Sequence, residues 1–137
     1  MKKYLSIAII SVSFFGIILI SNSCKQPKPP KAVVYVVDDN NVPVSNARVI
    51  VKAPTSNSGH QTVVYLEEGD KHIADTQLTN EEGKINYSFR YRAIYRVEVI
   101  KEKDNKHPQT RRGLGVLMLE DDKTIETTIR INEQTTF

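Results

Sequence analysis

The chain has 137 residues, 19 lysines and arginines against 16 aspartates and glutamates, a formal net charge of +3, and one cysteine. That length holds one domain, and a lone cysteine excludes a disulfide framework within the chain. Without Lys2 and Lys3 the basic excess falls to 17 against 16, and without Lys25, Lys28 and Lys31 it inverts to 14 against 16. The remainder is therefore not a basic surface of the kind that holds nucleic acid.

Lys2 and Lys3 precede an apolar run from Tyr4 to Ile20 broken only by serines and a glycine, and Ser21-Asn22-Ser23 lead into Cys24. A positive start, an apolar stretch and a small-residue exit describe a secretory signal peptide. A retained membrane anchor is the other reading, since about 17 residues is the lower end of the spanning range. The segment resembles the signal of bacterial lipoproteins, with Ser23 as the small residue before the cysteine. Ser21 and Asn22 stand where that family has aliphatic and small residues. The resemblance implies that residues 1–23 are removed and that Cys24 becomes a lipidated first residue, with several acyl chains because one holds a membrane only marginally. A free thiol is the alternative for Cys24. Lys25 in the next position implies, by the family's sorting rule, the outer rather than the inner membrane of a gram-negative-type envelope.

Residues 24–31 hold three prolines and three lysines (Lys25, Pro27, Lys28, Pro29, Pro30, Lys31) and nothing apolar to bury. This composition predicts an extended semi-rigid tether, rising about 3.1 Å per residue. Its lysines suit anionic headgroups.

From residue 32 to 137 the pattern is strands and turns. Val33–Val37 is β-branched and aromatic and ends at Asp38-Asp39-Asn40-Asn41, residues that favour turns. Ala47, Val49 and Val51 alternate with Arg48, Ile50 and Lys52 up to Pro54. After a polar loop from Thr55 to Gly59, Thr62–Leu66 predicts a strand closed by Glu68-Gly69-Asp70, and Ile73–Leu78 another. The turn Thr79–Lys84 places Gly83 where a positive φ is needed. Ile85, Tyr87 and Phe89 alternate with polar neighbours, as do Tyr95, Val97 and Val99. A charged loop from Lys101 to Arg112 precedes Leu114–Leu119 and Thr124–Ile131, which predict a closing hairpin around Glu120–Lys123. No long helical period follows Cys24. Seven or eight such strands predict an all-β fold, a single small antiparallel sandwich of transthyretin or immunoglobulin type.

Three stretches carry a further resemblance: Val36–Val51 with its Pro43-Val44-Ser45-Asn46-Ala47-Arg48-Val49 segment, Thr79-Asn80-Glu81-Glu82-Gly83-Lys84-Ile85, and Tyr95-Arg96-Val97-Glu98-Val99. In order and spacing they are similar to the carboxypeptidase regulatory-like family of small transthyretin-like sandwiches, with Asn46 where glycine is usual. The resemblance implies a structural or binding role and no catalysis.

The residues themselves supply no competing chemistry. His60, His72 and His107 lack metal-ligand spacing, and the run Asp38–Asn41 lacks the spaced calcium pattern and suits an Asx turn better. Gly113-Leu114-Gly115 lacks the third glycine of a phosphate loop. The ending Asn132–Phe137 is not the Tyr-Arg-Gly-Ser of transthyretin-like purine-pathway hydrolases. No enzyme activity, metal or cofactor is expected. Arg90, Tyr91, Arg92 and Arg96, with Arg111 and Arg112 further on and Lys101, Lys103 and Lys106 between, interleave cations and aromatics. They are read either as a solvated outer face or as a surface for an acidic envelope protein or an anionic glycan. The expected partners are thus a membrane through the lipid, an envelope protein, and alternatively a glycan.

Overall fold

The computed structural model describes residues 27–54, 63–67 and 73–136. Among these residues seven strands make two facing sheets: β1 (Lys31–Val37), β2 (Arg48–Lys52), β3 (Ala74–Leu78), β4 (Lys84–Ser88), β5 (Ile94–Lys101), β6 (Arg111–Met118) and β7 (Thr124–Arg130). One sheet runs β4-β1-β7 and the other β3-β2-β5-β6. The predicted all-β sandwich is therefore what the chain forms. All pairs are antiparallel except β1 with β7, which lie parallel from Lys31 opposite Thr124 to Val37 opposite Arg130.

Strand periodicity decides the core. Ala32, Val34 and Val36 of β1 and Ile85 and Tyr87 of β4 point inward from one sheet, and Val49, Val51, Tyr95, Val97, Val99 and Leu117 from the other. Phe89 stacks between Tyr87 and Tyr95, with centroids 5.7 and 5.1 Å away. Each fully buried side chain of this size contributes roughly 1.5–3 kcal/mol, so two sheets that meet on a dozen such residues have no need of a disulfide.

The turns follow from the residues at their corners. After β1 the Asp38 carboxylate accepts the N–H groups of Asn40 (2.8 Å) and Val42 (2.9 Å), an Asx turn that leaves Asn41 at φ 61°. Asn46 has φ 51°, a left-handed conformation that asparagine tolerates as glycine does. Before β4, Asn80 Oδ1 accepts from Glu82 (3.0 Å) and Lys84 (2.8 Å). Gly83 there has φ +67°, and a Cβ on it would lie 2.7 Å from the Val36 carbonyl oxygen. Thr79 ties the two turns together: its hydroxyl accepts from Ala47 N–H (2.8 Å) and donates to Val44 C=O (2.7 Å).

Four expectations need correction. Leu114–Leu119 and Thr124–Ile131 are not a hairpin: β6 pairs with β5 and β7 with β1, so the turn between them carries the chain from one sheet to the other. The glycines give the reason. A Cβ on Gly113 would lie 2.5 Å from the Arg130 carbonyl oxygen, and one on Gly115 would lie 2.7 Å from Ile129 Cδ1. The bare inner side of β6 lets β7 pack face-on beneath it. Second, β6 starts at Arg111, inside the expected charged loop, because Arg111 pairs with Lys101. Third, the described part of the Thr62–Leu66 strand makes a bridge rather than a ladder, Leu66 to Phe89, flanked by Glu67 N–H to Ser88 C=O and Arg90 N–H to Tyr65 C=O. These two bonds meet the chain where it leaves β4 and do not extend the sheet. Fourth, the tether does not stand free up to the domain. Lys28 N–H donates to Asp122 Oδ1 (2.9 Å), Asp122 N–H to Lys28 C=O (3.1 Å) and Phe89 N–H to Pro30 C=O (2.9 Å). Pro30 is fully buried and Lys31 already belongs to β1.

Candidate functional site

Strand direction sorts the six basic and aromatic candidates. Arg90, Tyr91 and Arg92 sit in the connection that enters β5 at Ile94, whereas Arg111 and Arg112 pair with Lys101 and Ile100 at its far end. At about 3.4 Å per residue, β5 separates the two groups by about 24 Å. The structure brings together three residues at one end, two at the other, and leaves Arg96 between them.

At the near end, Arg90, Tyr91 and Arg92 line a broad hollow with Pro27, Lys28 and Asp121. The docked tether therefore forms one wall. Tyr91 meets Tyr65 edge-on, with centroids 5.4 Å apart at 75°, and stays 55% exposed. An aromatic face flanked by guanidinium groups and an ammonium group can stack on a flat ligand and balance negative charge. Arg96 points outward from β5 instead, with Nε 3.4 Å from Glu98 Oε1. Glu98 also holds Lys52, and its side chain is almost covered between the two. Arg96 is thus engaged within its own sheet.

At the far end, Arg111 is buried, with Nη2 3.5 Å from Asp104 Oδ2. Its Nε is buried with no hydrogen-bond partner among the described residues. A pocket of about 300 Å³ lies here, lined by Asp38, Asp39, His107, Arg111, Asn132 and Glu133 among others. Asp104 accepts the N–H groups of His107 (2.8 Å) and Lys106 (2.9 Å), and chiefly the first holds its carboxyl below the usual range. Nothing in the sequence marks this pocket, because the turn after β1 and the segment after β7 meet only through the fold. Arg112 is half-buried on β6, and its backbone exchanges bonds with Asn132. Among the described residues no cluster of three or more histidine, cysteine, aspartate or glutamate side chains is placed to hold a metal. Cys24, His60 and His72 lie outside the described residues.

A second surface escaped the sequence reading. Ile94, Leu114, Val116 and Met118 all face solvent from β5 and β6. The signal was present in the run Leu114-Gly115-Val116-Leu117-Met118, where apolar residues occupy both faces and the usual polar alternation is missing.

No family model matches the chain, and no curated protein matches it in sequence. Among solved structures it is similar to BcpA, the major pilin subunit of Bacillus cereus, at 18% identity with a TM-score of 0.50 over 79% of this chain. The chain spans 31% of that protein's length. At this identity the likeness is one of fold, a β-sandwich.

Proposed function

We propose that the protein is a non-enzymatic cell-envelope lipoprotein, a membrane-tethered β-sandwich that serves as a structural or adaptor module for a larger envelope assembly. The observation that carries it is how few residues separate Cys24 from the start of the fold. Lys28 is already hydrogen-bonded to the sandwich four residues after the cysteine, so an acyl group on Cys24 holds the domain close to the bilayer. Support comes also from the signal-like run before Cys24, from the regulatory-like resemblance of the Val36–Val51 and Thr79–Ile85 stretches, and from a sandwich fold shared with part of a pilin subunit. On this reading residues 1–23 are cleaved, and the anchor is in the outer membrane of a gram-negative-type envelope. The test is palmitate labelling and cell fractionation of the wild-type chain beside Cys24→Ser. Label and membrane partitioning are expected to disappear together in the variant; retention of the processed variant in membranes rejects the anchor. In-cell cross-linking then asks for a recurrent envelope partner.

The hollow around Tyr91 favours a second reading, an anion- or carbohydrate-binding lipoprotein. Replacing Arg90, Tyr91 and Arg92 together by alanine should abolish binding to an anionic glycan array, and unchanged binding rejects it.

A further inference from the structure

We infer that β6 is a self-pairing edge through which two copies of this chain join into one continuous sheet. β6 ends its sheet, with β5 on one side and no strand on the other among the described residues. Arg112 N–H and C=O turn away from β5 and bond Asn132 at 2.7 and 3.0 Å. By the alternation of an antiparallel ladder, the N–H and C=O groups of Leu114, Val116 and Met118 point to that same outer side. They form a row of three residues whose backbone groups have no partner among the described residues. Such an edge invites another strand unless charge, proline, a bulge or a covering segment protects it.

The other edges have protection that this one lacks. β3 carries Asp75, β7 carries Glu126 and Arg130, and β4 carries Lys84 and is met at its last residue, Ser88, by Glu67. Between Leu114 and Met118 there is no charge and no proline. The side chains of these three residues and of Ile94 also leave an apolar strip on the sheet's outer face.

The occupant follows from symmetry and charge. An antiparallel copy centred on Val116 sets Val116 opposite Val116 of the second copy and Leu114 opposite its Met118, which uses all three open residues of both strands. Centring on Gly115 instead would bring Arg112, already bonded to Asn132, into the ladder. Centring on Leu117 would leave Leu114 opposite Glu120. The Val116 register also sets Arg112 of β6 across from Glu120 of the second copy, an unlike pair at each end of the ladder. The interface is the same patch on both subunits, as a two-fold axis requires. The outcome is an eight-stranded sheet of order β3-β2-β5-β6-β6-β5-β2-β3, with the two apolar strips merged.

The experiment uses the full-length chain in detergent with Val116→Cys. Opposed residues in a hydrogen-bonded antiparallel pair have Cα atoms about 5.5 Å apart, inside the range a disulfide spans. Mild oxidation is expected to give a covalent dimer for Val116→Cys and, when the two variants are mixed, for Leu114→Cys with Met118→Cys. Leu114→Cys alone and the wild-type chain, which retains Cys24, are expected to link far less. Val116→Lys sets like charges across the axis and, being on the solvent face, leaves the core intact. Sedimentation should show its self-association weakened by about tenfold or more. The inference is overturned if Val116→Cys stays monomeric, if Leu114→Cys alone links as readily, or if the wild-type chain shows no concentration-dependent association. These readouts are independent of the acylation of Cys24, which the fractionation test reports separately.

Discussion

The hydroxyl of Tyr87 is buried beside Phe89 with no hydrogen-bond partner among the described residues. Burial, and secondarily the charge of Asp75, holds the phenol's proton on far above its ordinary value. Below pH 10 the phenol is protonated in both folded and unfolded chains and has no effect on the pH dependence. As the pH rises past about 10 the unfolded phenol ionises while the buried one does not, so unfolding releases a proton and stability falls. Tyr87→Phe should therefore flatten the alkaline limb of a stability-against-pH curve. At pH 7 it should also stabilise by about 1 kcal/mol, because it removes an unsatisfied buried group. A urea titration showing equal alkaline loss in both proteins would contradict this. Thr79 is the opposite case, since one hydroxyl satisfies Ala47 N–H and Val44 C=O. Thr79→Val keeps the shape but strands both groups, and should cost about 2–3 kcal/mol in the same titration. The inward position of Tyr87 was legible from its alternation with Asn86 and Ser88. Its missing bond partner, and the long-range clamp at Thr79, depend on what other segments bring alongside.

Among the elements, the β6–β7 corner shows most clearly what alternation reveals and what it hides. Both strands were legible as strands. Their pairing was not, because a pattern of period two fixes which side chains share a face and says nothing about which neighbour a strand takes. Adjacent strands with a five-residue connection usually make a hairpin; here Gly113 and Gly115 carry no side chain at the two positions where a Cβ would run into β7 and the residue after it. The two glycines are not equivalent. A methyl on Gly113 meets the Arg130 carbonyl at 2.5 Å, whereas one on Gly115 meets the outer atoms of the Ile129 side chain at 2.7 and 2.8 Å. Backbone yields less than a side-chain tip. Gly113→Ala should destabilise by about 3 kcal/mol and Gly115→Ala by about 1 kcal/mol, within the usual range for overpacking. Equal costs on denaturation would mean that the corner is looser than its distances say. The candidate surface follows the same logic. The residue types around Tyr91 were legible, but the spacing of about 24 Å along β5, which removes Arg111 and Arg112 from that surface, was not. The apolar strip on β6 was written in the sequence as a strand with two greasy faces.

At the scale of the whole molecule, β1 and β7 lie side by side and run the same way, seven residues in register. The chain therefore enters the sandwich at one end, through Lys28 and Pro30, and leaves β7 at the other. Load applied between the tether and the residues after β7 acts along the strands, so the hydrogen bonds of that ladder must break together. Lys101 and Arg111, by contrast, are direct partners at the end of the β5–β6 ladder, and pulling on them peels bonds one at a time. Single-molecule stretching should give a clearly higher rupture force for the first attachment than for the second. Equal forces would show that the terminal ladder is not what yields. A domain strung this way is a mechanical fuse with a high rating: pulled by its two ends, it resists longest along the one axis that joins them.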